Sequence, residues 1–73
     1  MQASPIPGQI WMTRPWALRT PRIRLLRVVA VTPATVTYIT HQDEMAGRPI
    51  VRRSGRVTLR GFMERNILHT DVV

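Results

Sequence analysis

The side chains in this sequence best equipped for chemistry are its arginines. Eleven of them stand against four acids, with no lysine, for a formal charge of +7. The acids (Asp43, Glu44, Glu64 and Asp71) all follow residue 42, so Arg14, Arg19, Arg22, Arg24 and Arg27 precede any negative charge. A guanidinium is planar, permanently charged and matched to the bidentate geometry of a phosphate. An imbalance of this size points to an anionic partner, nucleic acid first. The use of arginine in place of lysine fits the composition of a GC-rich genome. The excess of base over acid does not follow from that composition.

Catalysis is poorly provided for. A hydrolase or transferase needs a nucleophile with its base, paired carboxylates or a metal cluster. His41-x-Asp43-Glu44 is the only local group of mixed titratable side chains, and it falls in a stretch that reads as a polar loop. His41 and His69 stand outside any metal-ligand spacing. Without cysteine, disulfides and thiolate metal sites are excluded. The segment Arg53-Ser-Gly-Arg56 has one glycine and reads as a turn, not a phosphate loop. The expectation is a binding protein with no catalytic residue, no metal and no cofactor.

Seventy-three residues make one domain, near the lower limit at which a single core stabilises a chain unaided. The longest uninterrupted apolar run is Val28 to Val31, far short of the roughly 20 residues of a bilayer span. No secretory h-region opens the chain. A soluble, cytoplasmic protein with no membrane partner is expected.

The elements that must position the arginines are short strands. Residues 1–8 (MQASPIPG) read as a flexible tail, 9–70 as the domain, and 71–73 as a fraying end. Gln9 to Met12 is a first strand. Thr13 to Pro21 is an irregular loop, because Pro15 and Pro21 remove donors and restrict the residues before them. In that loop Trp16 is expected to fold back over the barrel mouth. Left exposed, it would instead be a stacking or interface residue beside Arg14 and Arg19.

Arg22 to Val31 is the central strand. Ile23 and Leu25 alternate with Arg22 and Arg24, then Leu26, Val28 and Ala30 continue the apolar set on the opposite parity. A bulge near Leu25-Leu26 would turn both sets inward and bend the strand. Thr35 to Thr40 is β-branched or aromatic almost throughout, and the three-residue connection makes the two strands a hairpin. His41 to Pro49 reads as a loop. Arg56 to Arg60 reads as a strand with Val57 and Leu59 inward and its arginines outward. Phe62 to Asn66 is a single helical turn with Phe62 capping the core, and Ile67-Leu68 starts a last strand.

The pattern Gly8-x-Ile10-Trp11, Arg-Leu-Leu-Arg-Val-Val-Ala-Val31, Thr-Val-Thr-Tyr-Ile-Thr40, Gly47-Arg48 and Arg56-Val-Thr-Leu-Arg-Gly-Phe62 resembles small SH3-like proteins encoded by bacteriophages and mobile elements of GC-rich bacteria. The resemblance spans about residues 8 to 68 and lies in hydrophobic spacing. Where that family ends on a Gly-Tyr strand, this chain has Ile67-Leu68. The resemblance implies an all-β fold, a small SH3-like, partly open five-stranded barrel with one short helical turn near the C-terminus. It implies a binding module in a bacterial host cell and carries over no catalytic residue.

On these strands Arg22 and Arg24 share a face, as do Arg56 and Arg60, while Arg48, Arg52 and Arg53 lie on the intervening connection. As neighbours on a barrel wall they would form one basic surface for the phosphates of DNA or RNA. Trp11, Trp16 and Tyr38 offer rings for stacking, although Trp11 and Tyr38 suit the core better. Two other roles fit the same residues. One is a protein-interaction module docking on a host enzyme or defence complex, with Trp16, Arg14 and Arg19 as its hot spot. The other is a structural part of a phage particle or other assembly, a homo-oligomer joined through barrel edges. Arg27, at the phase slip, faces either solvent or one of Asp43 and Glu64.

Overall fold

A computed structural model of the chain describes residues 4–49 and 54–72. The elements run β1 (Ile10–Thr13), a 3-10 turn (Pro15–Ala17), β2 (Ile23–Val31), β3 (Thr35–Met45), β4 (Arg48–Pro49), β5 (Ser54–Thr58), α1 (Leu59–Arg65) and β6 (Asn66–Thr70). All strand pairs are antiparallel: β4 and β5 both pair with β3, which pairs with β2, then β1, then β6. The chain is thus an antiparallel meander of five principal strands and the two-residue β4. After β5 the helix carries the chain back to pair with β1. Edge strands β5 and β6 are joined by α1 and not by a ladder, so the barrel stays partly open.

One cluster forms the core. Trp11 from β1, Leu26 and Val28 from β2, Val36 from β3 and Phe62 from α1 are all buried, with Val31, Tyr38, Val57 and Leu59 packed against them. Trp11 and Phe62 meet edge to face at 5.3 Å and 62°, a favoured geometry for aromatic pairs. Burying side chains of this size contributes about 1.5–3 kcal/mol each, which is how so short a chain holds together.

The sheet bends at two register shifts between β2 and β3, at Leu25/Leu26 and at Val28/Ala30. The first lies at the expected step, but Leu25 opposes Gln42 while Leu26 opposes Thr40, so the extra residue is His41 on β3. Leu25 is buried, though outside the core cluster. Leu25 is inward as expected, but at Ile23 and Arg24 the expected inward and outward sides are exchanged. Ile23 is 54% exposed, whereas Arg24 is half-buried in line with Leu26 and Val28.

Residues 41–45, expected as a loop, extend β3 and pair with the start of β2. Ala46 (φ 53°) and Gly47 (φ 77°) then turn the chain into β4, both left-handed as a two-residue hairpin of type I′ requires. The strand expected to reach Arg60 stops at Thr58. Its hydroxyl accepts the Gly61 N–H at 3.1 Å and caps α1, which lasts seven residues instead of one turn.

Residues 4–8, expected as a free tail, pack onto the sheet. Pro5 is buried and the Gly8 N–H donates to the Val28 carbonyl at 2.9 Å. Gln9 is the hub of this corner. Its side-chain Oε1 accepts the Ile6 N–H and the Trp11 indole N–H, and its side-chain amide donates to Asp71 at 2.8 Å, tying the segment after β6 to the start of β1. Among the described residues no helix is long and apolar enough to cross a membrane.

Candidate nucleic-acid interface

The unclosed side of the barrel holds a groove of about 470 Å³, lined by residues of both edge strands, the ends of β1 and α1, and the inner faces of β2 and β3. Its floor is Leu26, Val57 and Phe62, and three arginines face it: Arg24 from β2, Arg56 from β5 and Arg65 from α1. Among the described residues no Asp or Glu lines it. The volume falls within the range of small-ligand sites, about 300–1,000 Å³.

Each arginine arrives by a different route. Arg24 follows from the two-residue period of β2, which puts it in line with Leu26 and Val28. Arg65 follows from the helix period: it stands three residues after Phe62, so the face that buries the ring also turns Arg65 toward the groove. The backbone there is fixed by the Arg14 N–H, which donates to the Arg65 carbonyl at 2.7 Å. Arg56 lies one residue before Val57, on an edge strand where no further strand covers it.

Two polar side chains of the groove wall, Thr13 and Asn66, are already engaged. The Thr13 hydroxyl donates to the Asn66 side-chain oxygen at 2.8 Å, and the Asn66 amide donates to the Phe62 carbonyl at 2.8 Å. Arg24 differs. Its Nε is buried with no hydrogen-bond partner. An unsatisfied buried donor costs about 1–3 kcal/mol, more when charged, so among the residues that line the groove Arg24 is the one whose guanidinium carries an unmet donor. Asp43 stands opposite Arg24 in the ladder, but its carboxylate accepts from Arg22 Nε at 2.8 Å. The second salt bridge among the described residues, Arg60 to Glu64 at 3.3 Å, also omits the groove arginines.

Tyr38 supplies the aromatic surface. Its ring is half-buried, 6.4 Å from Phe62, and it lies over Gly55, its ladder partner on β5. A Cβ at Gly55 would come within 2.6 Å of the Tyr38 hydroxyl oxygen and 2.8 Å of Cζ. Gly55, which reads as turn material, is therefore a strand residue that makes room for a ring.

The expected basic wall is divided. Arg24 and Arg56 meet at the groove. Arg22 is held in the ion pair with Asp43, with side-chain exposures of 21% and 7%. Arg60 is 91% exposed on α1, removed from strand β5, and Arg48 is exposed on β4. Arg52 and Arg53 lie outside the described residues. Arg65 has no signal of its own in the sequence, where the segment shows only Phe62 as a core residue. Arg27 is exposed and faces neither acid; its Nη2 lies 3.4 Å from His41 Nδ1.

Trp16 does not fold over the barrel mouth. It is 67% exposed on the 3-10 turn, next to Ala17, which lines the groove. Pro15 sets that turn's first residue and leaves Trp16 with no buried face to join. Arg14 is half-buried and Arg19 exposed on the same loop. Among the described residues no group of three or more His, Cys, Asp or Glu side chains is placed to hold a metal ion. Comparison with protein-family models, curated proteins and solved structures gives no match to this chain.

Proposed function

We propose that this chain is a small basic binding module that contacts nucleic-acid phosphates through the groove formed by Arg24, Arg56 and Arg65. The observation that carries the reading is the convergence on one concavity of three guanidinium groups that, among the described residues, meet no Asp or Glu, with the Arg24 Nε buried and lacking an acceptor. Phosphate oxygens match that deficit in both charge and geometry. The test is titration of labelled DNA and RNA at two salt concentrations. Phosphate contacts release counterions, so affinity must fall as salt rises, and Arg56→Ala with Arg65→Ala must flatten that dependence by about two phosphate contacts. Absence of binding at low salt, or binding indifferent to salt, overturns the reading.

A second reading is favoured by Trp16, whose 67% exposure beside Arg14 and Arg19 suits an interface hot spot. On that reading the chain docks on a host enzyme or defence complex. Capture of a defined protein from nuclease-treated host lysate, lost in Trp16→Ala, supports it.

A further inference from the structure

We infer that the groove takes an unpaired nucleotide, so that the ligand is single-stranded nucleic acid and not duplex; the inference rests on the phosphate-binding function proposed above. The cationic groups are graded by depth. Arg56 and Arg65 are exposed at the rim, while the Arg24 Nε is buried. A phosphate must enter the groove to satisfy Arg24. Duplex phosphates run along the outside of a stiff cylinder and reach the rim alone. A single strand bends freely and can send one phosphate inward with its base beside it.

The base has a surface waiting for it. Tyr38 packs on Phe62 from within the core and lines the groove, and Gly55 leaves the ring lying over β5. Every base has an apolar face, so such a surface is sequence-tolerant. The groove's side-chain amide is already committed to Thr13 and the Phe62 carbonyl, which leaves little to read base edges. Little base preference follows. Trp16, adjacent to the groove-lining Ala17, is exposed where the next base would pass, while Trp11 is 1% exposed. Ligand-induced quenching of indole fluorescence therefore reports on Trp16.

The experiment uses the full chain with labelled single strands about 12 nucleotides long, within the site sizes of about 4–16 nucleotides known for small barrels, and with duplexes of the same length. Tight binding of mixed-sequence single strands, at least about tenfold over duplex at equal salt, together with quenching of Trp16, is expected. Arg24→Leu is expected to lose about tenfold for single strands, to leave duplex binding within about twofold, and to raise Tm by a few degrees, because it removes an unsatisfied buried donor. Tyr38→Leu is expected to cost a further fivefold or more, and Arg60→Ala, remote from the groove, nothing beyond about twofold. Should Tyr38→Leu fail to fold, the Arg24→Leu arm still decides. Equal affinity for single strand and duplex, untouched by Arg24→Leu, overturns the single-strand inference while leaving phosphate binding intact. Failure of both ligands to bind at low salt overturns the phosphate reading itself. A fall in Tm with Arg24→Leu would make Arg24 a structural residue and also count against the inference.

Discussion

Arg22 and Arg24 are two residues apart at the start of β2, and Asp43 on β3 is within reach of the neighbourhood of both. Only Arg22 takes it, at 2.8 Å, and the pair is largely removed from solvent. Arg24, the ladder partner of Asp43, is left with a buried Nε and no acceptor, facing a groove with two more arginines. The same residue type in the same stretch thus ends in two states. Arg22 ties β2 to β3 through an acid, and Arg24 has no ion pair among the described residues.

The largest effects test this contrast through stability, and they have opposite signs. Arg22→Ala leaves a buried carboxylate uncompensated and is expected to destabilise by about 3 kcal/mol, the lower end for a broken buried pair because Arg22 retains some exposure. For a domain of this size that lowers Tm by more than about 10 °C. Arg24→Leu is expected to be neutral or to stabilise by about 1 kcal/mol. Both read out in one thermal melt at neutral pH. The double variant should be non-additive, because Arg24 stands opposite Asp43 in the ladder and can turn toward it once Arg22 is gone. Equal losses from the two single substitutions would erase the distinction.

Next in size is Gly55→Ala. The added methyl meets Tyr38 at 2.6–3.2 Å, and the ring is backed by Phe62, so it must tilt into the groove or drive the edge strand outward. A loss of about 1–3 kcal/mol is expected. Tyr38→Leu in the same chain should recover part of it by removing the clashing atoms. The groove would then be emptied of its ring without Arg24 being touched, separating the aromatic from the cationic half of the site. Smaller still is Arg60→Ala. Its pair with Glu64 is an exposed i,i+4 contact at 3.3 Å, worth about 0.3–0.5 kcal/mol, and binding should not change.

The sequence makes the β2–β3 hairpin and the bend at Leu25-Leu26 readable, because β-branched runs and a parity change are local signals. It hides whatever depends on pairing. His41 to Met45 looks like a loop because its strand conformation comes from the ladder with Ile23 to Leu25, not from an apolar face of its own. Arg56 to Arg60 alternates like a strand to its end, so the cap at Thr58 is masked by the period of the strand it terminates. With the helix start displaced, Arg60 is assigned to a wall it does not occupy, and Arg65 is overlooked despite its three-residue offset from Phe62. Gly55 carries no local sign that Tyr38 will lie across it, since only the register of β3 on β5 brings them together. The arginine excess is legible in the composition, and the topology decides which arginines line the groove.

The smallest effect lies at the opposite corner, where charge is again used structurally. The Asp71 carboxylate accepts from the buried Gln9 amide and from the Val72 N–H, each at 2.8 Å. The Gln9 bond first, then the Val72 bond, hold its pKa below the ordinary 3.8, against a slight opposing effect of burial. Because the folded value is the lower one, the ionised carboxylate contributes stability that is fully present above 3.8 and is lost as pH falls through the folded pKa. Wild type should therefore melt slightly above Asp71→Ala at neutral pH, and the gap should close in acid. The Arg22–Asp43 contrast is best measured above that window, where Asp71 contributes a constant. A gap that persisted unchanged in acid would show that shape, not charge, ties Gln9 to the C-terminal segment. The comparison of Arg22 with Arg24 would then carry the test of charge by itself.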